Sequence, residues 1–216
     1  MSGFELQPEF LIADEAALRS LYAPAHDLAL KKERQTLGPN AQAFIQRSPF
    51  LCIGTQGRGG KADVSPRGDA PGFVRILDDG RVAIPDRPGN NRLDTLDNIV
   101  ANPAVGLLFL IPGYDETLRL NGRASLTTQP DLLASMAVDG KVPRLAIVVD
   151  IDEVFLHCAK AFRRSHLWDP EHRQPRTAMP SLVQMILEDT SGAPSDPEVM
   201  AQMDENLEVA YRQTMY

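Results

Sequence analysis

The segment 85–94 combines the residue types and the location expected of an anion site. It reads P-D-R-P-G-N-N-R-L-D, and it connects a strand-like run to a helix-like one. The first N–H groups of a helix have no partner within the helix, and the helix dipole favours negative charge beside them. Arg87, Asn91 and Arg92 add side-chain donors there, and the arginine fork matches phosphate oxygens. The segment therefore indicates a phosphate site, with a capped helix and exposed arginines as the alternative.

A second polar segment, D-V-S-P-R-G-D at 63–69, follows a strand-like run. It places the hydroxyl of Ser65 and the guanidinium of Arg67 next to a glycine, where both are candidates for ligand binding. The alternative is a surface β-turn whose charged side chains are solvated.

A third segment, H-C-A-K-A-F-R-R-S-H-L-W at 157–168, is basic and ends in the single tryptophan of the chain. On a helix, Lys160, Arg164 and Trp168 are spaced four apart and share one face. Such a face can hold a flat, anionic aromatic ligand by stacking and charge. The alternative is a basic helix whose tryptophan is anchored in the core.

Other kinds of site lack a signature. The four histidines, His26, His157, His166 and His172, are dispersed and form no H-E-x-x-H pattern, so no metal site is expected. No G-x-S-x-G is present to support a hydrolase, and no G-x-G-x-x-G follows a strand. The two cysteines, at 52 and 158, lie in apolar stretches and are expected to be buried free thiols in a reducing compartment.

Charge and hydropathy argue against two further classes of protein, those that bind nucleic acid and those that span a membrane. The net charge of −7 disfavours nucleic-acid binding, and the apolar runs are too short to cross a membrane. The N-terminus has no basic region or long apolar run, so the protein is expected to be soluble and cytoplasmic. Seven acidic residues and one basic residue lie between Ser181 and Tyr216, which leaves the rest of the chain nearly neutral and able to contain a cationic site.

Hydrophobic periodicity predicts an α+β chain with helices at both ends. Strands are expected at 50–55, 61–66, 72–77, 81–85, 104–112, 117–126 and 144–158. Helices are expected at 13–21, 27–32, 39–47, 92–101, 130–137, 159–167, 182–187 and 197–211. Asn90 or Asn91 is the expected cap of the helix over 92–101, and Thr127 or Thr128 is the residue at which the helix over 130–137 is expected to begin. Short strands joined by hairpins favour a barrel, and 104–112 is expected to be a central strand buried on both faces or a strand of that barrel.

Three motifs occur in an order that is moderately specific: D-x-S-P-R-G at 63–68, P-D-R-x-G-N-N-R at 85–92, and N-P-x-V-G-L-L-F at 102–109. On these motifs the stretch 44–168 resembles the pyridoxamine 5′-phosphate oxidase-like, FMN-binding split-barrel family, in particular a bacterial branch of it. The resemblance implies an α+β fold with a six-stranded antiparallel split β-barrel. Chain length and periodicity predict one domain over 1–216, with N-terminal helices at 1–48, the barrel core at 49–168 and an acidic helical tail at 181–216.

The resemblance further implies a homodimer with two FMN sites at its interface. Ser65 and Arg67 would border the flavin, and Arg87, Asn91 and Arg92 would hold its phosphate and ribityl chain. Thr117 and Arg119 occupy positions at which members of the family have residues close to the isoalloxazine ring. The site would be closed, from the same or the second subunit, by Lys160, Arg164, Ser165 and Trp168.

The sequence departs from the true oxidases of that family in two places. Their Ser-Arg-Lys run at the phosphate and their C-terminal W-x-x-x-R-L-H-type segment are missing. The resemblance therefore supports FMN binding by this chain more strongly than it supports the oxidation of a vitamin B6 substrate. The resemblance implies an FMN-dependent oxidoreductase with a small-molecule substrate. The alternatives are a flavin-binding or sensing protein without turnover, and a barrel that holds haem or F420.

Overall fold

One antiparallel sheet of seven strands forms the centre of the computed structural model, which describes residues 3–27 and 31–216. The strands are β1 Phe50–Gln56, β2 Ala62–Gly68, β3 Arg75–Asp78, β4 Arg81–Pro85, β5 Ala104–Leu110, β6 Thr117–Thr127 and β7 Ala146–His157. Their order across the sheet is β2-β1-β5-β6-β7-β4-β3, with β2 and β3 at its two ends. The predicted α+β split barrel is confirmed, with seven strands where the resemblance implied six.

The core lies on one face of the sheet because every second side chain of a strand points to the same side. On β1, Leu51 and Ile53 are fully buried, and they oppose Phe109 and Leu107 of β5 in antiparallel register. The other face of β5 is half-buried. Buried and half-buried side chains therefore alternate along 105–110. This pattern fits a strand of a barrel, the second of the two predicted alternatives.

The chain divides into two compact units, Met1–Glu33 and Arg34–Tyr216. In the first unit, α1 covers Glu15–Ser20, and the Asp14 side chain caps it by accepting a hydrogen bond from the Ala17 backbone N–H at 2.8 Å. The prediction of a helix at 13–21 is confirmed in shorter form. The helix predicted at 27–32 includes 28–30, which are outside the described residues.

The second unit contains the sheet and six α-helices among its residues, all of which are described. These are α2 Pro39–Arg47, α3 Asp94–Ala101, α4 Pro130–Ser135, α5 Lys160–Ser165, α6 Leu182–Thr190 and α7 Pro197–Thr214. Helix α5 is shorter than the predicted 159–167 because His166 adopts the left-handed conformation (φ 51°) and ends it. No helix among the described residues combines the length and hydrophobicity that a bilayer crossing requires.

The expected caps of two helices are wrong. Helix α3 follows Leu93, which has φ 62° and makes no side-chain cap. The Asn90 side chain instead accepts a hydrogen bond from the backbone N–H of Arg92 at 3.1 Å, which stabilises the turn before the helix. Helix α4 begins after Gln129, which likewise makes no side-chain cap, so neither Thr127 nor Thr128 occupies that position.

Candidate functional site

A cavity of about 920 Å³ opens beside β2 and the segment that joins β4 to α3. Its volume lies at the upper end of the range of about 300–1,000 Å³ that is typical of small-molecule sites. Loop residues 141–144 and the end of α7 complete its wall. The cavity is lined by five of the residues selected from the sequence: Ser65, Arg67, Arg87, Asn91 and Arg92.

The sheet edge places the polar groups of β2 on the cavity wall. Arg67 donates from its Nη1 to the Ser65 hydroxyl at 2.6 Å and to the Pro66 carbonyl oxygen at 2.9 Å. Arg67 Nε and Asp63 Oδ2 are buried, and neither has a hydrogen-bond partner within the described protein. Because an unpaired buried polar atom costs free energy, the two atoms together indicate a ligand that offers an acceptor and a donor.

Burial shifts the pKa values of the charged groups near β2. Burial lowers the pKa of Arg67, although the carboxylates of Asp86 and Asp63 oppose that shift. Burial likewise raises the pKa of Asp86, against the effect of Arg67 and Arg144. Charge interactions are stronger in such a desolvated place than in water, so this part of the cavity is suited to binding a polar or charged group of a ligand.

Arg87 is held from behind by a buried carboxylate. Its Nε donates to Asp69 Oδ2 at 2.7 Å, and the side chain of Asp69 is only 2% exposed while that of Arg87 is 17% exposed. Arginine has five N–H donors, so this bond leaves the two terminal nitrogens of Arg87 available to an anion. Asp69 therefore orients Arg87 as a donor for the cavity.

Several hydrogen bonds converge on Asp69. Burial alone would raise the pKa of Asp69, but hydrogen bonds from the Tyr216 hydroxyl, the Ala70 backbone N–H and Arg87, with the charge of Arg87, hold it below its usual value. The Tyr216 hydroxyl and the Ala70 N–H both donate to Oδ1 at 2.7 Å. Asp69 is therefore a charged acceptor at neutral pH.

Asp69→Asn is expected to lower the free energy of unfolding by about 3 kcal/mol near neutral pH, because it leaves the Arg87 charge unpaired. Since the folded pKa of Asp69 is depressed, its contribution is present above the unfolded pKa of about 3.9 and is lost as the pH falls through the folded value. Urea unfolding over a pH series should show the wild-type advantage shrinking in that acidic window. Asp78→Asn, at a more exposed ion pair with Arg81, is the control and should cost clearly less than Asp69→Asn. A pH-independent effect at Asp69 would contradict the assignment.

The loop before α3 has an unusual backbone. Asn91 and Leu93 both have positive φ, at 57° and 62°, which is uncommon for residues other than glycine and is typical of functional loops. Arg92 is 73% exposed and donates from Nε to Asp94 Oδ2 at 2.8 Å. The first turn of α3 lines the cavity beside these residues. The predicted clustering of Arg87, Asn91 and Arg92 at a helix N-terminus is thus confirmed, while their binding of a phosphate stays a prediction.

Six of the residues selected from the sequence do not line this cavity: Thr117, Arg119, Lys160, Arg164, Ser165 and Trp168. Arg119 lies 3.8 Å from Glu153 Oε1 and packs over the Phe155 ring at 5.4 Å. Thr117 is buried at the start of β6. Their predicted contact with a cofactor, including contact from a second subunit, stays a prediction.

The predicted common face of Lys160, Arg164 and Trp168 is wrong, because α5 ends at Ser165 before Trp168 is reached. The indole ring instead stacks on Phe162 with ring centroids 5.8 Å apart. Its Nε1 donates to the Tyr114 carbonyl oxygen at 2.7 Å.

The histidines and cysteines are arranged differently from the expectation. His166 and His172 stack with ring centroids 4.3 Å apart, and Asp169 Oδ2 lies 3.9 Å and 3.2 Å from their respective Nδ1 atoms. One possible ligand atom from each of His166, Asp169 and His172 lies within 4.8 Å of the other two, so the fold brings together a group that the dispersed positions of the histidines in the sequence did not indicate. Both cysteines are free, but Cys52 is half-buried and Cys158 is exposed, so their expected burial is wrong. Cys158 follows the last residue of β7, where the chain leaves the sheet.

Two residues of the cavity region were missed by sequence reasoning. Asp69 belongs to the D-V-S-P-R-G-D segment, whose last carboxylate could have been considered as a partner for a nearby arginine. Tyr216 lies about 150 positions further along the chain, and no local pattern connects it to Asp69.

Comparison with models of protein families shows which family the chain belongs to. The model for the family described as pyridoxamine 5′-phosphate oxidase matches residues 37–158, more than half of the chain. The chain belongs to the pyridoxamine 5′-phosphate oxidase family. The part that matches this family contains all seven strands and the five selected residues that line the cavity, whereas α5, α6 and α7 follow it. A search of curated proteins finds no match.

Solved structures similar to this family member share low sequence identity with it. HupZ from Group A Streptococcus is 15% identical, with a TM-score of 0.46 over 56% of this chain and 93% of HupZ. An FMN-binding protein from Syntrophomonas wolfei is 9% identical, with a TM-score of 0.43 over 61% of this chain and 91% of that protein. An F420 reductase is 15% identical, with a TM-score of 0.42 over 55% of this chain and 98% of that protein.

Proposed function

We propose that this cavity binds FMN and that the protein is an FMN-dependent oxidoreductase acting on a small molecule. Membership of the pyridoxamine 5′-phosphate oxidase family supports a flavin-type redox function in general terms. The observation that carries the specific proposal is the buried, unpartnered Nε of Arg67 in the same cavity as Arg87 and Arg92. Arg67 Nε can donate to a polar ring of the ligand, and the guanidinium groups of Arg87 and Arg92 can bind its phosphate.

The donors and acceptors of the cavity match the two ends of FMN. Arg87, Asn91 and Arg92 would hold the phosphate together with the first N–H groups of α3. The isoalloxazine ring offers carbonyl acceptors and one N–H donor, which correspond in kind to the free donor on Arg67 and the free acceptor on Asp63. The residues present therefore fit the cofactor.

When bound, FMN would supply the redox chemistry, namely hydride transfer from a reduced substrate and electron transfer to oxygen or another acceptor. Arg67 supplies a positive charge in a desolvated part of the site, where negative charge on a bound ligand is stabilised more strongly than in water. Ser65 fixes the guanidinium of Arg67 by accepting its hydrogen bond. The wall around β2 thus orients the ring and provides electrostatic stabilisation.

The absorbance spectrum of protein purified from cells with ample flavin tests this proposal. A bound oxidised flavin is expected, released on denaturation as FMN, and a screen of reduced donors should bleach it. A haem or F420 spectrum, or colourless protein that cannot be reconstituted with FMN, would contradict the proposal.

A flavin-binding protein without turnover is the second candidate. The observation that favours it is the lack of the W-x-x-x-R-L-H-type segment, in whose place the chain continues into α6 and α7. Tight FMN binding with no bleaching by any donor would support this candidate. Rapid turnover with any one donor would exclude it.

We further propose that two chains form a dimer in which α5 and its neighbours complete the partner's site. The proposal is supported by Lys160, Arg164 and Ser165, which do not line the cavity of their own chain although the family resemblance implies a flavin role for them. Light scattering should give a mass near twice 23.7 kDa. A monomeric mass with bound FMN would contradict this arrangement.

A further inference from the structure

The end of helix α7 lies in the cavity, although this helix follows the part of the chain that matches the family. Thr214 and Tyr216 line the wall. The Tyr216 hydroxyl donates to Asp69 Oδ1 at 2.7 Å, and Lys141 Nζ donates to the Tyr216 backbone oxygen. The Arg87 guanidinium carbon lies 5.7 Å from the centroid of the Tyr216 ring. Three separate contacts therefore join this segment to the cavity.

The contacts of Tyr216, which follows α7, differ from those along the helix itself. The sequence predicts an apolar stripe of Val199, Met203, Leu207 and Tyr211, but Val199 and Tyr211 are each 45% exposed. Met200 is the residue of α7 that is buried. The end of the helix is thus attached by polar contacts at the cavity rather than by a continuous apolar face.

Asp69 connects Tyr216 to Arg87. One carboxylate oxygen accepts from the Tyr216 hydroxyl and the other accepts from Arg87 Nε, and the side chain of Asp69 is almost completely buried. A carboxylate held at both oxygens cannot rotate, so it fixes the plane of the guanidinium that it binds. The Tyr216 ring packs against the same guanidinium and restricts it from a second direction.

We propose that Tyr216 is a positioning residue of the phosphate subsite, holding Arg87 through Asp69 so that the terminal nitrogens of Arg87 are aimed at the FMN phosphate. The proposal rests on the proposed function of the cavity. It gives the acidic tail a role, since α7 delivers Tyr216 to the site. Without this support, Arg87 would lose rotamer freedom on binding the phosphate, and that loss would weaken the affinity.

Matched tyrosine variants test the proposal by comparing FMN with riboflavin, which lacks the phosphate. Tyr216→Phe keeps the ring and removes the hydroxyl, while Tyr211→Phe makes the same change at an exposed position of α7, the helix that precedes Tyr216. We expect Tyr216→Phe to raise the Kd for FMN about tenfold and to leave the Kd for riboflavin within about twofold. Tyr211→Phe should change neither constant.

A second variant, Tyr216→Ala, also removes the ring and should weaken FMN binding more than Tyr216→Phe does. Thermal unfolding without flavin establishes that each variant is folded. Equal losses for FMN and riboflavin, or an unchanged FMN constant in Tyr216→Phe, would overturn this proposal while wild-type binding left the proposed function intact. Failure of the wild-type protein to bind FMN would overturn both.

Discussion

Arg87→Gln is expected to raise the Kd for FMN about 100-fold while riboflavin binding stays within a few-fold of wild type. Arg87 lines the cavity, and Asp69 holds its Nε so that the terminal nitrogens remain available. Two charge-assisted hydrogen bonds to a phosphate contribute about 3 kcal/mol together, which corresponds to about two orders of magnitude in affinity. Because riboflavin has no phosphate, it reports any general damage to the cavity.

The controls separate lost phosphate contacts from lost stability. Arg87→Gln leaves Asp69 buried without its cation, so Asp69→Asn is added in a second variant to remove the unpaired charge. Arg92→Gln, at an exposed side chain, should cost FMN about tenfold. Arg81→Gln removes the same charge at the start of β4, where Arg81 pairs with Asp78, and should have no effect on binding. Equal weakening of FMN and riboflavin by Arg87→Gln would contradict the phosphate assignment.

Gly122→Ala is expected to lower the free energy of unfolding by about 3 kcal/mol. Gly122 lies where the register between β6 and β7 shifts, and a β-carbon there would overlap the backbone carbonyl oxygen of Asp150. The same β-carbon would lie 3.0 Å from Val149 Cγ1. Since the obstructing group is backbone in the longest ladder of the sheet, the strands must separate to accept the methyl group.

Gly54→Ala is the matched control for this substitution. Gly54 lies in β1, and its added β-carbon would meet the Gly106 carbonyl oxygen at 3.7 Å, an ordinary contact distance. We expect a change below about 1 kcal/mol for Gly54→Ala in urea unfolding. Similar stability losses for the two variants would contradict the close approach of β6 and β7 at Gly122.

Strands and helices with strong periodicity were predictable from the sequence. Helix α2 and strand β4 have the predicted bounds, since Pro39 and Ser48-Pro49 delimit the helix and Asp-Asp-Gly precedes the strand. The polar segment at 85–94, proposed to hold the phosphate, was also recognisable, because its arginines and asparagines are close together in sequence. The turn itself was not, since the Asn90 side chain bonds the Arg92 N–H rather than capping α3.

Contacts between distant parts of the chain could not be predicted in the same way. Asp69 and Tyr216 meet only after the sheet and the tail have folded, so no local spacing indicates their hydrogen bond. Trp168 has helical spacing from Arg164, but the left-handed conformation of His166 breaks the helix between them. The orphaned Nε of Arg67 likewise depends on burial, which only the folded cavity determines.

We propose that the cavity beside β2 and the β4–α3 segment is an FMN site. The most direct test is a titration of flavin-free protein with FMN, in which binding is monitored by the quenching of flavin fluorescence. Wild type and Arg87→Gln are measured side by side. We predict saturation at one FMN per chain for wild type and about 100-fold weaker binding for Arg87→Gln. Absence of saturable binding by the wild-type protein, or identical curves for both proteins, would contradict the claim.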